Sequence, residues 1–489
     1  MLVLVSGAGT VAYGTPRGRG LLAAVVLGGA IAFLDSTVVN VALPSIGADL
    51  DASFAQLQWV VTGYTLTLAA FILVGGSLGD RVGRRRVYVW GIAGFAVTSL
   101  LCALAPTADL LVAARLLQGV AGALLTPGSL AVIQASFRPA DRGRAIGTWA
   151  GIGAVAPALG PPLGGFLAEI DWRLVFLINL PVAALALVLT ARYVPESKDP
   201  DAARGLDWAG AVLGVVALGT LTVALVGEGG DEGGDVPAAI VPAAAVVAVT
   251  SGAAFVWWQR RAADPMVPPS LWANRTFSIA NLLTLAVYAA LSGLFFFLAL
   301  QLQTSLGYRP VAAGAAVLPS SLMLLLFSSR AGDLATRTGP RFPLLVGPLV
   351  AAVGVTLLAF VSAGDSYPAH VLPGVLLFGA GLALLVAPLT TTVLAAAPDR
   401  LTGTASGVNN AISRAGGLLA VAALPTLVGL GAQDYADPEA LTAGYRTAML
   451  VSAALLLAGG LSAIALPRRL ADCVPPEERA ADAPGRPVA

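Results

Sequence analysis

Two residues, Asp35 and Arg115, put full charges into runs that are otherwise hydrocarbon. A charged Asp near the middle of a membrane helix costs about 2.5 to 3.5 kcal/mol on insertion scales. Such residues therefore face a bundle interior or a water-filled path. With a rise of about 1.5 Å per residue, Asp35 falls roughly 13 Å and Arg115 roughly 9 Å below the same outer end, so the two charges lie at similar depth. A cation within reach favours the ionised carboxylate, and desolvation favours the protonated one. A change in which of these wins is what a proton-coupled cycle needs. The other reading is a static ion pair that fixes the first apolar run to the fourth.

A third buried charge, Arg414, lies in the thirteenth run beside Asn409 and Asn410, and the runs of the second half hold no acid to pair with it. It can meet helix carbonyls or substrate oxygens, or extend its head towards the inner surface. Asn40, Gln118, Arg414 and Asn410 are the candidates for lining a substrate cavity. Gln58, Tyr64, Tyr288, Gln301 and Gln303 are polar residues that either join that lining or sit at the interface. His370, the one histidine, falls at the edge of the twelfth run and reads as an exterior boundary residue.

A different chemistry is expected in Gly76-Ser77-Leu78-Gly79-Asp80-Arg81-Val82-Gly83-Arg84-Arg85. Asp80 can accept charge-assisted bonds from Arg81, Arg84 or Arg85, or cap the helix that follows, while Gly76, Gly79 and Gly83 allow close approach and tight turns. Such a clasp could break and reform, so it is assigned to gating. The stretch aligns without gaps on Gly332-Asp333-Leu334-Ala335-Thr336-Arg337-Thr338-Gly339-Pro340-Arg341, where Thr336 replaces the acid. Further along, Gly160, Gly164 and Gly165, with Pro161, let a neighbouring helix approach closely and free some backbone bonds, a packing and hinge device.

The elements that must position these residues are membrane helices. In 489 residues, 57% are hydrophobic and 11% charged, against about 25% charged in an average soluble chain. Fourteen apolar runs are long enough to span. They cover about 21–43, 56–78, 86–105, 108–133, 143–168, 174–193, 207–227, 237–258, 277–301, 311–329, 342–362, 370–395, 405–430 and 444–466. The two termini and the even-to-odd connections hold 23 of the 28 basic residues, and the opposite connections hold Arg173, Arg309 and Arg446. Positive loops are retained in the cytoplasm, so both termini are expected there, which requires an even number of spans. The duplicated loop follows the second and the tenth runs. This predicts a 6+2+6 plan: an N-terminal half over 1–205, two inserted helices over 206–262, a C-terminal half over 263–466 and a cytoplasmic tail over 467–489. The Gly- and acid-rich stretch after Gly227 is expected to be a flexible exterior loop. Trp257 and Trp258 beside Arg260 and Arg261 read as an interfacial anchor.

The near-neutral net charge of +1 gives no case for nucleic acid. Cys102 and Cys473 imply no disulfide framework. No metal or cofactor is expected, and one histidine with two separated cysteines argues against a membrane enzyme. There is no P-loop and the one lysine is Lys198, which excludes ATP drive through such a loop.

These stretches resemble the drug:proton antiporters of the major facilitator superfamily, in their fourteen-helix branch, over nearly the whole chain. Leu34 to Pro44 is similar to that branch's first-helix pattern, Leu-Asp-x-Thr-x-x-Asn-x-Ala-Leu-Pro, and Gly76 to Arg86 to the superfamily's loop motif. Arg115-Leu116-Leu117-Gln118-Gly119 resembles the fourth-helix motif, and Gly160-Pro161-Pro162-Leu163-Gly164-Gly165 the fifth-helix motif of exchangers, with Ala156 in place of its usual leading Gly. Trp172 to Pro181 is a further similarity to the branch. The resemblance implies an all-α polytopic major facilitator fold in a bacterial cytoplasmic membrane, working as a monomer. It implies export of drugs or antibiotic-like small molecules in exchange for protons, with Asp35 and Arg115 as the coupling or substrate pair. The alternative cargo on the same fold is an endogenous metabolite, amino acid, siderophore or lipid component.

Overall fold

The computed structural model describes residues 11–198, 207–227, 240–398, 401–430 and 437–473. The stretch after Gly227, the junction near 205 and the tail beyond Cys473 lie outside the described residues, as do the side chains at 150–158, which include Ala156. Among the described residues the structure is helical, with one isolated bridge between Val11 and Phe137.

The first six long helices are α1 (Pro16–Leu50), α2 (Phe54–Val82), α3 (Arg84–Ala103), α4 (Ala108–Ser136), α5 (Pro139–Ile170) and α6 (Leu174–Tyr193). The pair α7 (Trp208–Gly227) and α8 (Ile240–Gln259) follows. Then come α9 (Arg275–Thr304), α10 (Leu318–Thr338), α11 (Arg341–Leu358), α12 (Leu372–Ala395), α13 (Thr402–Leu427) and α14 (Pro438–Ser462). Twelve helices among the described residues are long and apolar enough to cross a membrane. The other two expected runs fall in α5, of 32 residues, and α13, of 26 residues, which have the length to span and make the helix order compatible with fourteen.

Local sequence accounts for several boundaries. Thr15 accepts the Gly18 N–H at the start of α1, Ser53 and Gln56 form a capping box on α2, and Asn274 accepts the Thr276 N–H on α9. Within α6, Pro181 lacks the N–H that would reach the Leu177 carbonyl, and the helix turns out of register at Ile178. The tenth run is likewise broken: a short helix, Pro310–Ala315, precedes α10, with Pro319 in the first turn of α10.

The repeat is a structural repeat. Gly83 stops α2 with φ 131° and Gly339 stops α10 with φ 80°, at aligned positions. The end of the sixth helix of each half lies over its glycine: a Cβ on Gly83 would meet Glu196 Oε1 at 2.6 Å, and one on Gly339 would overlap the Arg468 carbonyl oxygen.

α1 packs against α4, α5 and α6, and α2 against α4, in one bundle; α11 packs against α12 and α14, and α9 against α13 and α14, in another. The inserted helices pair with each other, and α7 lies against α2 and α13, where Thr426 Oγ1 donates to the Leu225 carbonyl at 3.1 Å. Val11 bonds across to Ser136 and Arg138, and Asn274 Nδ2 reaches the carbonyls of Ala396 and Cys473. Both described ends of the chain therefore lie at the end of the bundle that carries Gly83 and Gly339.

Candidate functional site

The helical period divides α1 into two working faces. Phe33, Ser36, Thr37 and Asn40 share one face and line a cavity between the halves. Asp35, Val38, Val39 and Ala42 turn the other way and are buried. The same helix thus carries a cavity wall and, behind it, a sealed carboxylate.

Asp35 and Arg115 are each 1% exposed and pair at 2.5 Å between Oδ2 and Nη1. The other carboxylate oxygen accepts from Gln118 Nε2 at 3.2 Å and Asn179 Nδ2 at 3.1 Å. Both amides also donate to Ser99 Oγ, at 2.7 and 3.1 Å. Arg115 has further partners: Nε donates to the Val60 carbonyl at 2.9 Å, Nη1 to Gln118 Oε1 at 2.6 Å, and the guanidinium lies 4.4 Å from the centre of the Tyr64 ring. Five helices, α1, α2, α3, α4 and α6, thus meet at one fully buried polar network. Protonation of Asp35 would leave Arg115 three other partners, so the network has the means to hold the cation in either state of the acid.

The cavity has a volume of about 280 Å³, with walls from α1, α2, α5, α9, α10, α12 and α13. Arg414 of α13 lies in its wall over the Phe33 ring, 5.3 Å from the ring centre, and its buried Nε has no hydrogen-bond partner. Asn40 also lines the cavity, and its buried Oδ1 is unpartnered. Gln118 and Asn410, expected in the lining, are not among its residues: Gln118 is fully buried in the Asp35 network, and Asn410 donates to the Ser406 carbonyl of its own helix at 3.0 Å. Tyr288 lines the cavity, whereas Tyr64 and Gln301 are buried elsewhere.

One end of the cavity is shut by contacts between the halves. Glu169 Oε2 binds Arg309 Nη2 at 2.7 Å, Gln58 Nε2 donates to the Val421 carbonyl at 2.9 Å, and Gln303 Nε2 donates to the Val41 carbonyl at 3.1 Å. The small residues of α5 let it pack closely on both sides. A Cβ on Gly160 would overlap Thr37, one on Gly164 would meet the Val38 carbonyl oxygen at 2.6 Å, and one on Gly165 would overlap the Pro310 carbonyl. The contact is reciprocal, since a Cβ on Gly314 would overlap the Pro161 carbonyl. α5 is clamped between α1 of its own half and the segment leading into α10.

At the opposite end Asp80 accepts from Arg84 at 2.8 Å, within the first half. It does not cap α3; Glu196, beyond the end of α6, accepts the Arg85 N–H at 3.1 Å there. Arg85 Nη2 also reaches the Ala191 carbonyl at 2.9 Å. Gly76 approaches Pro127 of α4, and Gly79 takes the Gly83 N–H on its carbonyl as α2 ends. Arg81 lies in that last turn. At the shut end His370 is half-exposed beside Asp365, which holds its carboxyl below the usual range by accepting the Ser362 N–H.

Sequence reasoning did not single out Asn179, Ser99, Glu196 or the Glu169–Arg309 pair. Asn179 was visible only as part of a longer similarity; its place beside Pro181, at the break in α6, was the available clue.

A family model described as Major Facilitator Superfamily matches residues 25–421. The chain is 37% identical over 409 residues to the multidrug resistance protein Stp of Mycobacterium tuberculosis, covering 83% of this chain and 75% of that protein. It is 36% identical over 438 residues to the puromycin resistance protein pur8 of Streptomyces alboniger, covering 87% and 86%. With the tetracenomycin C resistance and export protein of Streptomyces glaucescens it shares 34% over 413 residues, covering 83% and 75%. Among solved structures, a bacterial homologue of the human lysosomal transporter Spinster, inward-facing and unoccupied, superposes with a TM-score of 0.63 at 20% identity, covering 92% of this chain and 96% of that one. A POT family transporter in complex with a thioalcohol-conjugated peptide gives 0.68 at 14% identity, covering 92% and 96%. Family model, relatives and fold agree, and the chain belongs to the Major Facilitator Superfamily.

Proposed function

We propose that the chain exports drug- or antibiotic-like small molecules across a bacterial cytoplasmic membrane, driven by inward movement of protons. The observation that carries this reading is a cavity between two halves, shut at one end, whose wall α1 holds Asp35 on its other face. The relatives named for multidrug resistance and for export support the cargo class. With the Arg-rich end and both termini in the cytoplasm, the shut end faces outward and the cavity receives its cargo from within.

In this cycle a proton reaches Asp35 from outside and neutralises it. Arg115 shifts its weight to Val60, Gln118 and the Tyr64 face, and α1 is released from α4. Because α1 also supplies Phe33, Ser36, Thr37 and Asn40, the change of charge behind the wall changes the wall itself. At about 100 mV each inward proton contributes roughly 2.3 kcal/mol. The Asp80 clasp with Arg84 gates the cytoplasmic end, Gly160 and Gly164 seat α5 on α1, and Pro161 and Gly165 let the outer end close against the second half. Both sides of the cavity come from one chain, so a monomer is the transport unit.

The test is accumulation of a panel of fluorescent drugs and antibiotics in pump-deficient bacteria that make wild type or Asp35→Asn at matched levels, with and without a protonophore. Export that the protonophore and Asp35→Asn both abolish supports the reading. Normal export by Asp35→Asn removes Asp35 from coupling, and a panel in which nothing moves removes the drug assignment.

A further inference from the structure

We propose that the cavity selects cargo with an apolar body and an ionised oxygen group, a carboxylate, phenolate or enolate, which pairs with Arg414. This inference rests on the export reading and names its substrate class.

Arg414 is the charged residue in the cavity wall, and no Asp or Glu is among the described lining residues. The acid that could neutralise it, Asp35, is 1% exposed and has its oxygens taken by Arg115, Gln118 and Asn179. Arg414 itself makes no hydrogen bond to any described residue; it lies 5.3 Å from the centre of the Phe33 ring and leaves Nε buried and unpartnered. A guanidinium in the cavity wall with its Nε unpartnered and no acid facing it is prepared to pair with an anionic oxygen group. A half-buried cation without an acid beside it is costly until an anion meets it, and it repels a cationic ligand from the same space.

The rest of the wall fits this division of labour. Ser36, Thr37, Thr62, Thr65, Ser320 and Ser413 spend their hydroxyl hydrogens on carbonyls of their own helices; Asn40, Tyr288 and Ser292 offer neutral donors, and Arg414 is the charged one facing the cargo. Leu291, Phe295, Leu324 and Val386 supply apolar surface for a ring system. A volume of about 280 Å³ admits a compound of a few fused rings.

The test uses the full chain in lipid nanodiscs and two xanthene dyes of similar shape and opposite charge, fluorescein and rhodamine 123, read by anisotropy with empty nanodiscs subtracted. Wild type is expected to bind fluorescein at least tenfold more tightly. Arg414→Gln should erase that preference and Arg414→Lys keep most of it. Equal or tighter binding of rhodamine 123 by wild type, binding of neither dye, or a preference that survives Arg414→Gln overturns the proposal. Displacement of fluorescein by 2-naphthoate but not oleate marks a soluble acid as cargo, and the reverse marks a lipid acid. Because binding needs no flux, the two readings fail separately. Charge-selective binding without export of any compound in cells sinks the export reading alone, and export without charge selectivity sinks this one.

Discussion

Glu169, in the last turn of α5, holds Arg309 of the opposite half at 2.7 Å, and the bond sits where the cavity is shut. Arg309 is largely exposed, so the pair is a latch on closure rather than a source of fold stability. Glu169→Gln and Arg309→Gln should each shift the closed-to-open equilibrium of this end by about 0.2–1 kcal/mol, up to about fivefold. Distance measurements between spin labels on the two halves at this end read that shift. The double variant should move it no further than either single one, and additive shifts would show that the two side chains act independently.

Behind α1, the Asp35–Arg115 pair separates structure from coupling. Arg115→Gln leaves Asp35 buried without its cation and should cost about 3–5 kcal/mol. Asp35→Asn should cost less, since Arg115 keeps Val60, Gln118 and Tyr64 as partners. The double variant Asp35→Asn/Arg115→Gln should recover much of the lost thermal stability in detergent while export stays absent. Recovery of both together would make the pair a static tie between α1 and α4.

The small residues of α5 give a third expectation. Gly165→Ala and Gly314→Ala each place a Cβ on a backbone carbonyl of the other half, which has no flexible side chain to give way. Each should weaken closure of the shut end by about 1–3 kcal/mol. Gly164→Ala presses on Val38 within one half and should lower stability without opening the shut end. Labelling of a cysteine placed at the shut end, compared with the unfolding midpoint, distinguishes the two effects.

Much of this was legible in the sequence because membrane helices announce themselves by length and apolarity, and charges within them are rare enough to point at each other. Asp35 and Arg115, matched by helical rise alone, are bonded. Gly83 and Gly339, matched by a ten-residue alignment, both stop helices with positive φ. Reading failed where a polar residue could turn either way. Gln118 lies three residues from Arg115 and so shares its face of α4, which directs it into the buried network and away from the cavity. Asn409 and Asn410 are neighbours about 100° apart round the helix: Asn409 bonds Asn281 and Thr284 of α9, while Asn410 bonds its own helix. Glu196 and Glu169 lie at helix ends, where an acid reads as ordinary surface until the partner helix is known.

Asp207, at the entrance to α7, gives a pH-dependent expectation outside the membrane spans. Burial raises its proton affinity, but donation from the Gly210 N–H, Trp258 Nε1, Gln259 Nε2 and the Met266 N–H outweighs this and holds the carboxyl below its ordinary value of 3.8. The carboxylate thereby ties the start of α7 to the end of α8 and to the segment leading into the second half. A carboxyl depressed in the folded state contributes stability that is fully present above its unfolded value and is lost as pH falls through the folded one. Wild type should therefore exceed Asp207→Asn in unfolding midpoint at pH 7, and the gap should hold to about pH 5 and close below pH 4. Limited proteolysis between α7 and α9 should show the same convergence. A gap unchanged from pH 7 to pH 3.5 would mean that the side chain's shape, and not its charge, ties the inserted helices down.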